Sequence, residues 1–85
     1  MHLLILYTTT ACRLCEQAEK LLVKTLDFAI FECNQVDIIS SNELLERYGV
    51  RIPVLVCGKS GQELNWPFNS SELHGFAQRV VALAP

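Results

Sequence analysis

The 85-residue chain carries little charge of either sign, with seven Lys and Arg against nine Asp and Glu and a net charge of −2. Its basic residues are scattered. That excludes the basic stripe of a nucleic-acid binder and the polybasic anchor of a membrane-attached segment. Long hydrophobic runs are missing as well. The opening Met1-His2-Leu3-Leu4-Ile5-Leu6-Tyr7 has no charged leader and breaks at Thr8-Thr9-Thr10, too short for a signal peptide or a membrane span. A cytoplasmic address is therefore expected. No internal repeat, low-complexity tract or linker interrupts the chain, and two cores would each be too small to outweigh chain entropy. A single domain over residues 1–85, monomeric, is the expectation.

What is present is apolar and patterned: 51% of the residues are hydrophobic, enough to fill a compact core. Leu3 to Tyr7 reads as a strand covered on both faces, with parallel neighbours expected. After Cys12 a helical period begins, with Leu14, Ala18, Leu21, Leu22 and Thr25 or Leu26 on one face and Glu16, Glu19, Lys20 and Lys24 on the other. A second strand lies within residues 27–38, where polar Gln35 and Asp37 suit a sheet edge. Ser40 and Glu43 are spaced as a capping box, Ile39 and Leu44 as a hydrophobic staple, and Gly49 as the residue closing that helix. Residues 52–57 form a β-branched run that turns at Gly58-Lys59-Ser60-Gly61 and returns through Gln62 to Leu64. Asn69 and Glu72 form a second capping box, Phe68 and Leu73 a second staple, and Leu73, Phe76, Ala77, Val80 and Leu83 carry a last amphipathic helix. The order β-α-β-α-β-β-α is that of an α/β sandwich.

Four cysteines without an export signal point to catalysis, redox sensing or metal rather than to a disulfide framework. Cys12-Arg13-Leu14-Cys15 stands where a strand hands over to a helix. The unpaired N–H groups and the dipole of a helix N-terminus favour an anion there, lowering a thiol below its free value of about 8.5. Cys12 is the expected nucleophile. Cys15, one turn further in, is the expected resolving thiol. Arg13 adds positive charge beside the sulfur, opposed modestly by Glu16.

Tyr7-Thr8-Thr9-x-x-Cys12-x-x-Cys15 followed by Tyr48-Gly49-Val50-Arg51-Ile52-Pro53-Val54 resembles the two halves of a glutaredoxin or thioredoxin active site, over nearly the whole chain. The resemblance implies a glutaredoxin-like thioredoxin fold with a four-stranded mixed sheet and thiol–disulfide oxidoreductase activity. It also implies a cis Pro53 facing the disulfide, with the Ile52 backbone pairing with a bound peptide or glutathione. Pro67 has no such match and is expected trans. More narrowly, Gln62-Glu63-Leu64-Asn65-Trp66-Pro67-Phe68 is similar to the same stretch of small bacterial glutaredoxin-like proteins. Three departures weaken the glutathione signal. Arg13-Leu14 stands where glutaredoxins have Pro-Tyr, Thr9 where they place a lysine, and Trp66 to Ser70 where they have a glycine-rich turn bearing an aspartate.

The resulting expectations are a protein disulfide or low-molecular-weight thiol as substrate, a cellular reductant, no permanently bound cofactor, and glutathione at most as co-substrate. The alternative is a non-enzymatic redox-sensing or metal-binding module. Cys33 and Cys57 stand apart without a second close pair, so they read as core or edge thiols rather than zinc ligands. His2 and His74 are assigned no role, Trp66 and Phe68 read as core plugs, and Glu32 and Asp37 as solvated carboxylates.

Overall fold

The computed structural model describes residues 1–83. Its elements are β1 (His2–Thr8), α1 (Arg13–Thr25), β2 (Phe31–Asp37), a 3₁₀ turn (Ile38–Ser40), α2 (Asn42–Tyr48), β3 (Val54–Cys57), β4 (Glu63–Asn65) and α3 (Ser70–Leu83). The sheet runs β2-β1-β3-β4. β1 pairs parallel with β2 and antiparallel with β3, which pairs antiparallel with β4. The sheet is thus mixed, and only one neighbour of β1 is parallel.

Side-chain alternation splits the apolar residues between two faces. Leu4, Leu6, Leu55 and Cys57 meet Ala18 and Leu22 of α1 and Leu73, Phe76, Ala77 and Val80 of α3 in the main core. Burying each large side chain in this way contributes roughly 1.5–3 kcal/mol. Val54 and Val56 point to the opposite face, where Ile38 and Tyr48 form a smaller cluster with Tyr7, Leu44 and Ile52 around it. The sheet therefore lies between α1 and α3 on one side and α2 on the other.

Several local expectations are corrected. Leu14 is 48% exposed rather than part of the apolar face, and Leu83 is exposed as well. The N-cap of α2 is Ser41, whose Oγ accepts the Leu44 N–H, while Ser40 Oγ donates to the Asp37 carbonyl at 2.7 Å. Asp37 causes the shift: its Oδ1 accepts the Ile39 N–H and caps a 3₁₀ turn that takes Ile38 to Ser40 out of the helix. Ile39 is consequently exposed, and Ile38 packs inward instead. Gly49 is right-handed, φ −52°, because the Arg51 and Ile52 amides close the helix end on the Tyr48 carbonyl. No left-handed residue is required there.

The capping box of α3 forms as read, Asn69 N–H donating to Glu72 Oε1 and Glu72 N–H to Asn69 Oδ1. Ile52–Pro53 is cis, in line with the resemblance, but Trp66–Pro67 is cis too. The trans preference of an X–Pro bond is only about 0.5–1 kcal/mol, so its surroundings can reverse it. Trp66 and Phe68 flank that proline edge to face at 5.1 Å, against the main core.

Candidate active site

Residues 9–11 carry the chain from the end of β1 to the start of α1. Ala11 turns it with a left-handed φ of 55°, a conformation that costs a non-glycine residue about 1–2 kcal/mol. Cys12 then takes the N-cap position in an extended conformation. Its Sγ accepts the Cys15 N–H at 3.2 Å, the role a Ser or Asp oxygen plays at other helix starts. Cys12 and Cys15 form a disulfide with Cα atoms 5.2 Å apart, within the ordinary range for such a bond. Cys15 is 2% exposed and Cys12 only half-buried. The pair is asymmetric: one sulfur open to a partner, the other shielded behind it.

The sheet brings the second motif to the same end. Tyr7 is paired with Val54, so Ile52 and Pro53 sit beside the end of β1, from which the loop runs to Cys12. Pro53 is buried and Ile52 half-buried. The Ile52 N–H donates to the Tyr48 carbonyl at 3.1 Å, so that amide is already engaged within the protein. Arg51 is anchored away from the sulfurs, donating to Glu63 Oε1, Asn65 Oδ1 and the Arg47 carbonyl.

An open cleft of about 390 Å³ adjoins the disulfide, lined by Cys12, Cys15, Glu16, Glu19, Gln35, Asp37 and residues 8–11. Arg13 is exposed and does not line it. Glu16 lines the cleft in its place, and Cys12 itself stands at the N-terminus of α1, where the unpaired N–H groups carry partial positive charge. Sequence reasoning missed Glu19 and Gln35 and set Asp37 aside as solvated. The signals that could have found them are the i, i+4 spacing of Cys15 and Glu19 and the parallel register that sets Asp37 opposite Thr8.

The other thiols lie elsewhere. Burial and the nearby Glu19 carboxylate push Cys33 up to about 11. Cys57 is buried and lines a larger cavity, about 440 Å³, at the opposite end of the strands with Leu3, Lys59 and Val80. Burial pushes its thiol up, but hydrogen bonds from the Ser60 hydroxyl and from the Ser60 and Lys59 amides, with the Lys59 charge, outweigh burial and hold it below the ordinary value. Among the described residues no group of three His, Cys, Asp or Glu side chains is arranged to hold a metal ion, and no helix is long and apolar enough to cross a membrane.

Residues 3–76 match the family model described as Glutaredoxin-like domain (DUF836). The chain belongs to this glutaredoxin-like family. The X-ray structure of target protein XcR50 from X. campestris is 33% identical, with a TM-score of 0.76 over 96% of this chain and 99% of that one. The solution structure of XcR50 is likewise 33% identical, with a TM-score of 0.75, covering 100% of this chain and 97% of that one. The solution structure of protein Ne2328 from Nitrosomonas europaea is 25% identical, with a TM-score of 0.66 over 88% of this chain and 89% of that one. No curated protein matches the chain. The glutaredoxin-like thioredoxin fold read from the two motifs is thereby established, and the Cys12–Cys15 pair within it fits a redox role.

Proposed function

We propose that this glutaredoxin-like protein is a thiol–disulfide oxidoreductase. The observation that carries the reading is the Cys12–Cys15 disulfide at the N-terminus of α1, with Cys12 Sγ accepting an amide N–H of the first turn. That hydrogen bond and the helix dipole both favour the thiolate over the thiol.

In the reduced protein the Cys12 thiolate attacks one sulfur of a substrate disulfide, forming a mixed disulfide and releasing the first substrate sulfur as a thiolate that takes up a proton. Cys15, deprotonated, attacks Cys12 Sγ, closes the Cys12–Cys15 bond and releases the second sulfur. The substrate disulfide gains two electrons and the protein dithiol loses them. A cellular dithiol, or two molecules of a monothiol, restores the pair. The Ile52 carbonyl beside Pro53 is the group proposed to align the bound substrate, and Arg13 contributes long-range positive charge. The site works in a cytoplasmic, reducing setting with no cofactor permanently bound.

The test is alkylation of Cys12 against pH in a Cys15→Ser variant, with the reduction potential of the wild-type pair measured against a dithiothreitol redox buffer. A Cys12 pKa below about 7.5 and reversible closure of the disulfide are expected. An unperturbed thiol with no reversible disulfide overturns the reading.

A further inference from the structure

We infer that the thiol or disulfide partner of this site is cationic near its reacting sulfur. The inference rests on the oxidoreductase reading and deepens it by assigning the partner's charge. The cleft beside the disulfide is lined by three carboxylates, Glu16, Glu19 and Asp37, and by no Lys or Arg. Among the described residues none of the three is in an ion pair, the paired basic groups being Arg47 and Arg51, which engage Glu63 on the other face of the sheet. One Asp37 oxygen accepts the Ile39 N–H, and hydrogen-bond partners for Glu16 and Glu19 side chains are absent among the described residues. The opening through which Cys12 is reached is therefore lined by three carboxylates, set against the partial positive charge of the α1 N-terminus and no side-chain cation in its lining.

The location gives the charge a consequence that an acidic surface elsewhere would lack. An incoming substrate must bring a sulfur to within bonding distance of Cys12, so the groups flanking that sulfur enter the field of these carboxylates. A concave site lined by one sign of charge raises the on-rate of opposite-charged partners by about 10–10³ and lowers that of like-charged ones. The chemistry that fits is a disulfide flanked by ammonium or guanidinium groups, such as a cystine bridge in a basic peptide segment. Glutathione disulfide, with its excess of carboxylates, is disfavoured by the same field. The missing lysine at Thr9 acts in the same direction, since no cation stands in the cleft to receive a carboxylate.

The test compares the reduced protein's exchange rate with three small disulfides. These are cystamine, a dication; bis(2-hydroxyethyl) disulfide, neutral; and 3,3′-dithiodipropionate, a dianion. Each rate is divided by that of dithiothreitol with the same disulfide, which cancels differences in leaving-group reactivity. At low salt the normalised cystamine rate should exceed the dianion's at least tenfold. The ratio should fall to within about threefold at 0.5 M salt, where the screening length is shorter than the cleft. A triple variant Glu16→Gln, Glu19→Gln, Asp37→Asn should narrow the low-salt ratio likewise, the amide at the third position keeping an oxygen for the Ile39 N–H. The salt series on the wild type decides the matter even if that variant fails to fold. Equal normalised rates, or a preference for the dianion, overturn the inference and leave the oxidoreductase reading standing. No exchange with any of the three above that of a Cys12→Ser variant overturns the oxidoreductase reading itself.

Discussion

The Arg51 guanidinium meets the Glu63 carboxylate at 3.0 Å, tying the residue before Ile52–Pro53 to the edge strand β4. The same carboxylate accepts the Tyr48 hydroxyl at 3.3 Å. The Tyr48 ring stacks on Tyr7 with centroids 4.3 Å apart, and the Arg47 and Arg51 guanidinium groups lie over it. Strand β1, helix α2, the proline loop and β4 are thus joined through one carboxylate, on the opposite face of the sheet from α1.

Glu63→Gln tests that junction through its pH dependence. The Arg51 hydrogen bond, against some burial and aided by the Arg51 charge and the Tyr48 hydroxyl, holds the Glu63 carboxyl below the usual range. A depressed carboxylate contributes stability that is fully present above its unfolded value of about 4.3 and is lost as pH falls through the folded value. Urea titrations should show the wild type more stable than the variant by about 1–2 kcal/mol at pH 6, partial exposure keeping the figure modest. The difference should shrink below pH 4. A constant difference across that window would show that the carboxylate charge is not what holds the loop.

These relationships were unevenly legible in the sequence. Asn69 with Glu72, and Phe68 with Leu73, are local patterns whose partners lie within one turn, so spacing alone located the start of α3. The Cys12–Cys15 motif was legible for the same reason. Ser40 and Ser41 are equally suited as N-caps, and what separates them is the capping of the 3₁₀ turn by Asp37, which acts from outside the helix. Glu63, Arg51 and Tyr48 meet only because β3 pairs with β4, and Glu19 and Asp37 only because α1 packs beside β2. Such groupings depend on register between distant segments, which no local spacing encodes.

The two thiols outside the site should differ in reactivity in a sense opposite to their exposure. Cys33, half-buried and pushed up to about 11, is thiolate in only roughly one molecule in a thousand at pH 8. Cys57 is buried, but its thiol lies below the ordinary value and it opens on a cavity. With the Cys12–Cys15 bond intact, iodoacetamide at pH 8 should modify Cys57 ahead of Cys33, as read by peptide mass spectrometry. Modification of Cys33 first would mean that access, not thiolate content, sets the order.

Asn69→Ala removes the oxygen that receives the Glu72 N–H at 2.8 Å. The lost cap should cost about 1 kcal/mol. Glu72→Gln keeps an oxygen for the Asn69 N–H and should cost less. Because Leu73 and Phe76 anchor α3 in the main core, the helix should persist in the alanine variant, with fraying confined to its first turn. Hydrogen exchange would show this as faster exchange confined to the first-turn amides, those of Glu72 and Leu73, both of which donate to Asn69.

Gly49→Ala should reverse the usual sign of a glycine-to-alanine change. At a right-handed position such a substitution ordinarily stabilises by about 0.4–1 kcal/mol, because the unfolded chain loses freedom. Gly49 is right-handed, yet a Cβ there would press into the Leu45 carbonyl oxygen, the acceptor of the Gly49 N–H. Backbone must move, and the Tyr48 carbonyl that takes the Arg51 and Ile52 amides moves with it. Thermal unfolding should therefore show a lower midpoint for Gly49→Ala. The control is Gly75→Ala in the interior of α3, where an added Cβ meets only the far end of Arg79 at 3.6 Å; that change should raise the midpoint. If both variants gain stability, the clash at Leu45 is relieved without cost and the end of α2 does not fix the proline loop.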